Sequence, residues 1–343
     1  MKRIFLGLVL LVVALGAAMA AALYTTQQRP FKGYTGDEAF VDIAPGSSTP
    51  AMARSLADAG VVQNPPAFRI AVWRRGAGRR LQAGEYRFDA PMTPGEVVDK
   101  IARGDVYLRP VTFREGLTMR QMAAIFEERG FGTAGEFLTA AAREQSIRDI
   151  DPTAPDLEGY LFPDTYTLPR RTTADQLVER MVGRFEKALT PEIRAKAAAR
   201  GLSVRQLVTL ASLVEKETAK AEERPLVAAV YANRIKIGMG LQCDPTVIYA
   251  LERAGRYTGN LTRADLQFDS PYNTYRYAGL PPGPIAAPGQ ASLAAAAEPA
   301  DVPYLYFVSR NDGSHVFATT LDEHNRNVQE WQVKYFRERR QRQ

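Results

Sequence analysis

Ser203-Val-Arg-Gln-Leu-Val-Thr-Leu-Ala-Ser-Leu-Val-Glu-Lys-Glu-Thr218 is the stretch from which the rest of the chain can be understood. Ser203 followed by Gln206 is a capping-box start. At about 100° per residue, Val204, Leu207, Val208, Ala211 and Val214 fall on one apolar stripe of a helix. Glu215 falls on the same stripe, and Glu217 is turned about 160° away from it. A carboxylate on a buried face is neutralised, paired or given chemistry, because desolvation raises its pKa and makes it a proton donor near neutral pH. Glu215 is therefore a candidate general acid. The competing structural role is a core-edge ion pair or hydrogen bond, which also perturbs a carboxyl.

The ends of the chain bear on where such an acid works. Lys2 and Arg3 precede an uncharged, mostly apolar run from Ile4 to Leu23. At 1.5 Å per residue the run spans about 30 Å, enough to cross a bilayer. The next basic residue is Arg29, so the positive-inside bias predicts a single-pass anchor in the inner (plasma) membrane, with the bulk of the chain periplasmic or extracytoplasmic. A cleaved signal peptide ending near Ala18-Met19-Ala20 is the alternative, and the length of the run favours the anchor.

The formal net charge is +6, a small and spread excess that suits an anionic wall polymer or lipid headgroups. A single cysteine, Cys243, excludes an intrachain disulfide and a cysteine-based metal site. The two histidines, His315 and His324, form no HExxH arrangement, so no metal is expected. No Gly-rich phosphate loop follows a strand, and neither a nucleotide cofactor nor a nucleic-acid partner is expected.

An internal repeat organises the first half. Val41-Asp-Ile-Ala-Pro-Gly46 leads into a helical pattern to Ala59-Gly60, and Val111-Thr-Phe-Arg-Glu-Gly116 into one to Arg129-Gly130. The two glycines are fourteen residues apart in both copies. Leu81–Phe88 and Leu157–Phe162 have strand character, and Thr93–Val98 and Thr173–Val178 start amphipathic helices. The pattern predicts tandem β-α-(α)-β-α units over 38–109 and 110–188, with Gly60 and Gly130 as left-handed helix stops. From Thr190-Pro191 onward the pattern predicts helices 191–200, 203–219 and 225–236, then a loop-rich stretch, a hairpin around Asn311-Asp312-Gly313 and a terminal helix from Leu321.

A single buried acid can protonate the leaving oxygen of a β-1,4 glycosidic bond and then act as base. Several groups could line a sugar groove. Asp244 lies on a loop after the helix pair, where an Asx-turn before Pro245 is its plainer role. Glu158 sits in an aromatic-dense segment with Tyr160, Phe162 and Tyr166. Tyr272-Asn273-Thr274-Tyr275 suits sugar recognition if exposed and is only a satisfied turn if buried.

Leu210–Thr218, Tyr231–Tyr249, Ser270–Tyr275, Leu157–Tyr166 and Gly279–Ile285 together closely resemble the MltG (YceG-like) endolytic murein transglycosylases. The resemblance implies an α+β chain with an N-terminal transmembrane helix (1–24), a small LysM-like α/β module (38–109) and a catalytic region. That region comprises the second repeat unit (110–188) and a lysozyme-like helical core with groove loops, hairpin and helix (189–343). It implies cleavage of nascent peptidoglycan strands at the MurNAc–GlcNAc bond, leaving 1,6-anhydro ends and terminating polymerisation beside the cell-wall synthases. The family's catalytic Glu, the first of Glu-Lys-Glu-Thr, maps to Glu215. Glu158, Gln242, Asp244, Tyr272, Asn273, Thr274 and Tyr275 fall on the substrate-binding motifs. Cys243 departs from the pattern, where a small polar residue is expected. A muramidase of the same fold that uses water, a non-catalytic wall-binding scaffold and, more remotely, a peptidase are the alternatives.

Overall fold

Every helix start that carries a Ser, Thr or Asn cap in the sequence is capped in the computed structural model, which describes residues 2–341; the side chains of 2–9, 12, 20, 22, 23 and 339–341 lie outside the described set. Helix α1 (Lys2–Gln28) takes up the apolar run. Among the described residues no helix is long and apolar enough to cross a membrane. The expected span of 4–23 falls in large part on side chains outside that set.

The chain forms two compact units. The first, residues 1–110 with 167–171, continues with β1 (Ala39–Ile43), α2 (Thr49–Asp58), α3 (Pro65–Arg74), β2 (Gly84–Phe88) and α4 (Pro94–Arg103). Strands β1 and β2 pair antiparallel, Ala39 opposite Phe88 and Ile43 opposite Gly84. Their inward side chains Val41, Ile43, Tyr86 and Phe88 meet Leu56, Phe68, Val97, Val98 and Ile101 from the helices. Each such side chain contributes about 1.5–3 kcal/mol on burial. Glu85 is buried and held by Arg170, whose guanidinium lies 2.6 Å from it and stacks over Phe40, so the 167–171 segment belongs with this unit.

The second unit, residues 111–166 with 172–343, repeats the order. Its elements are the end of β3 (Leu108–Thr112), α5 (Met119–Glu128), α6 (Ala134–Ala141), the start of β4 (Thr165–Pro169) and α7 (Ala174–Ala188). The paired glycines share their backbone: φ is +76° at Gly46 and Gly116 and +68° at Gly60 and Gly130. One element departs from expectation. Leu157–Phe162 is a buried turn, and the strand is the later Thr165–Pro169. Gly159 has φ +83° there, and a side chain on it would overlap Pro284. The contact division also joins 111–166 to the C-terminal region, where the repeat pattern had separated 110–188 from 189–343.

The helices α8 (Pro191–Ala199), α9 (Val204–Glu217), α10 (Arg224–Lys236), α11 (Asp244–Arg253) and α12 (Gln290–Ala297) follow. Helix α9 packs against α8, α10, α11 and α12, and Leu207 through Val214 are all buried. A helix enclosed on every side has no solvent face for its periodicity to reveal. The hairpin of β5 (Tyr306–Ser309) and β6 (His315–Ala318) turns through Asn311 and Gly313, both at positive φ, and α13 (Leu321–Val328) follows.

Candidate active site

The C-terminal end of α9 carries two carboxylates with different surroundings. Glu215 is enclosed by protein: the Gly289 N–H at the start of α12 donates to Oε2 at 2.9 Å, and the Arg224 guanidinium lies 3.6 Å from Oε1. Its side chain is 6% exposed. Glu115 approaches the same arginine at 3.8 Å. Burial and then the Glu215 charge push the Glu115 carboxyl above its usual range, with Arg224 opposing. Oε2 of Glu215 thus accepts a backbone hydrogen bond, and Oε1 faces the arginine as an ion pair.

Glu217, the last residue of α9, opens onto a cavity of about 270 Å³ lined also by Gln242, Asp244, Tyr275, Arg234, Phe307 and His324. The buried Tyr231 hydroxyl donates to its Oε1 at 2.7 Å. Desolvation raises its carboxyl above the ordinary range; hydrogen bonds from Tyr231 and Cys243 oppose the rise and the Asp244 charge adds to it. A helix C-terminus disfavours a negative charge in the same sense. This is the setting of a candidate proton donor: a carboxyl raised above its ordinary range, facing a polar cavity.

Asp244 is not on a loop. It is the first residue of α11, and the Tyr275 hydroxyl donates to its Oδ1 at 2.5 Å. Gln242 adopts φ +51° and its N–H donates to the Thr274 carbonyl at 3.2 Å. Asn273 and Thr274 are fully buried. Asn273 donates to the carbonyls of Leu266 and Phe268 and accepts from the Tyr275 N–H. Thr274 accepts from the Cys243 N–H at 3.0 Å. These two residues hold Tyr275 and Gln242 in position and do not line the cavity themselves.

Glu158 and Tyr272 are elsewhere. Glu158 lines a smaller cavity of about 130 Å³ with Asp156, Tyr249 and Arg253. It accepts from the Met119 N–H at 3.0 Å and the Tyr249 hydroxyl at 3.2 Å, and burial pushes its carboxyl up to about 8. Tyr272 packs on the Tyr249 ring, centroids 5.0 Å apart.

Sequence reasoning missed Arg234, Phe307 and His324 as lining residues of the Glu217 cavity, and Tyr231 as the buried hydrogen-bond partner of Glu217. Tyr231 and Arg234 lie three apart on α10, a helical spacing that offers the only local signal. Arg234 is pinned by the carbonyls of Leu305 and Leu241. His324 stacks on Tyr306, and burial followed by the Arg234 charge lowers its pKa. Its arrival depends wholly on tertiary folding. Cys243 is buried, and desolvation and the Glu217 charge raise its thiol, so it is an inert packing group.

The model of the YceG-like family matches residues 41–330. The chain belongs to the YceG-like family. It is 33% identical to the endolytic murein transglycosylase of Bacillus subtilis over 302 residues, covering 83% of this chain and 82% of that one. It is 31% identical to the protein of the same name from Streptococcus pneumoniae strain D39, over 84% of this chain and 58% of that longer one. A crystal structure from Listeria monocytogenes, described as a YceG-like protein, is 30% identical. It superposes with a TM-score of 0.58 over 85% of this chain and 99% of that one. Within this YceG-like chain, the Gln242–Asp244 and Tyr275 positions share one cavity with the second, not the first, glutamate of Glu-Lys-Glu-Thr.

Proposed function

We propose that this YceG-like protein is an endolytic peptidoglycan transglycosylase, cleaving the MurNAc–GlcNAc β-1,4 bond within nascent strands. The observation that carries the chemistry is the raised Glu217 carboxyl facing the cavity that holds Gln242, Asp244 and Tyr275. Glu217 gives its proton to the glycosidic oxygen as the C1–O bond breaks. The resulting carboxylate takes the proton of the muramoyl 6-hydroxyl as O6 bonds to C1, closing a 1,6-anhydro ring and restoring the acid. No water is consumed and no second carboxylate nucleophile is needed. Tyr275 and Gln242 bind sugar polar groups, and Asp244 acts through its charge on Glu217. Glu215 is the alternative acid, since it tops the apolar stripe of α9.

Digestion of isolated glycan strands, with mass analysis of the ends, tests both assignments. Glu217→Gln abolishes new anhydro ends while Glu215→Gln retains them if Glu217 is the acid; the reverse result returns the role to Glu215. A hydrolytic muramidase leaves ends one water heavier. Strand binding without new ends makes the protein a scaffold for the synthases.

The same reading makes α1 a single-pass anchor in the plasma membrane, with both units on the outer face and the first unit acting as a LysM-like module beside the synthases. The apolar α1 side chains Leu10, Leu15 and Met19 are 61%, 61% and 74% exposed, so the protein itself gives them no apolar cover.

A further inference from the structure

Pro65-Pro-Ala-Phe-Arg-Ile-Ala-Val-Trp-Arg-Arg-Gly-Ala-Gly-Arg-Arg80 contains five arginines and no carboxylate. It forms α3 and the turn after it. Trp73 is 82% exposed, the most exposed large apolar side chain of the described residues. With Pro50, Pro66 and Ile70 it lines an open hollow of about 810 Å³, flanked by Arg69 and Arg79. Arg75 pairs with Asp99, and Arg80 donates to the Arg75 carbonyl. Among the described residues Arg69, Arg74 and Arg79 have no carboxylate partner.

The position of this face relative to α1 gives it a use. The Gln27 side chain donates to the Ala67 carbonyl at 2.9 Å, and α1 packs on α3 and α4. The apolar run ends at Leu23, and four residues at 1.5 Å put Gln27 about 6 Å past the hydrocarbon edge. That depth is the headgroup layer. Tyr24, 65% exposed, stands at the boundary where interfacial aromatics gather. The helix bonded to Gln27 is α3, so its tryptophan and its unpaired arginines start at headgroup level.

We propose that the α3 face, with Trp73 at its centre and Arg69, Arg74 and Arg79 around it, is a docking surface for anionic lipid headgroups. Trp73 lies at the interface with its ring against the acyl boundary, and the arginines meet lipid phosphates. Docking lays the first unit flat on the membrane that α1 enters. The proposal rests on the anchor reading of α1, and the experiment separates the two.

Full-length protein carrying Trp331→Phe, which leaves Trp73 as the sole tryptophan, is reconstituted in phosphatidylcholine vesicles with and without phosphatidylglycerol. Trp73 emission should shift to the blue and be quenched by lipids brominated near the headgroup end of the acyl chain. Both effects should grow with phosphatidylglycerol and be lost in Arg69→Glu/Arg74→Glu/Arg79→Glu. If Trp73 stays open to aqueous iodide in both kinds of vesicle, the surface is overturned. Shielding of Trp73 by added glycan strands, and not by lipid, overturns it in favour of a sugar. Carbonate extraction decides the anchor separately. Protein released by carbonate whose Trp73 still responds to phosphatidylglycerol keeps the surface and loses the anchor.

Discussion

Glu215 and Glu217 are two residues apart on α9, yet Glu215 takes its hydrogen bond from the Gly289 backbone at 2.9 Å and Glu217 from the Tyr231 hydroxyl at 2.7 Å. The first is built into the start of α12, and the second faces a cavity. Their substitution should therefore separate stability from chemistry. Glu217→Gln should reduce strand cleavage by about 10²–10⁴-fold with little change in melting temperature. Glu215→Gln should leave cleavage within about tenfold of the parent while costing about 1–3 kcal/mol of stability, from the loss of charge beside buried Arg224. End-group counting and thermal unfolding of both variants check this.

Tyr231→Phe should move the pH profile. The acid must be protonated, so kcat/KM falls as pH rises through the Glu217 pKa. The Tyr231 hydrogen bond lowers that pKa, and its removal raises it. The alkaline limb of the profile should therefore shift to higher pH. An unchanged or lowered limb would remove Glu217 as the titrating acid.

Glu158 should make stability fall with alkalinity. Its folded pKa of about 8 is raised from 4.5, so the neutral form is the one the fold favours. The stability it contributes is complete below about pH 4.5 and is lost as pH rises to about 8. Glu158→Gln, which keeps the shape without the charge, should flatten the dependence of melting temperature on pH across that window. The expected gain at pH 8 is on the order of a few kcal/mol.

Gly159→Ala should be strongly destabilising. The residue sits at φ +83°, and the added methyl would overlap Pro284 beneath it. A loss of about 2 kcal/mol or more is expected, read from denaturant midpoints.

The repeat was legible because a left-handed turn demands glycine, and Gly46, Gly60, Gly116 and Gly130 mark both copies at the same spacing. Caps such as Thr93 with Glu96 were legible for a similar reason: the partners are three residues apart. The strand after α6 was misplaced because Leu157, Tyr160 and Leu161 are apolar for the sake of a buried turn, which has no periodicity of its own. Helical phase puts Glu215 on the apolar stripe and Glu217 off it, but Leu207 through Val214 are buried all round α9, so phase alone does not show which carboxylate faces a cavity. Phe307 and His324 reach the cavity from 90 and 107 residues beyond Glu217. Asn273 and Thr274, which looked like recognition groups, are buried fasteners of the loop that presents Tyr275.

The twin turns at Gly46 and Gly116 have met different fates. Both hold φ +76°, but a Cβ added to the first would meet open space, whereas one added to the second would lie 3.8 Å from the Glu215 side chain, and the Gly116 carbonyl accepts a hydrogen bond from Lys216. An ancestral duplication would thus have left one copy of the turn answerable only to its own backbone and enlisted the other in the wall around α9. Mutational drift should be freer at the neighbours of Gly46 than at those of Gly116, and insertions that the first copy absorbs should be refused by the second.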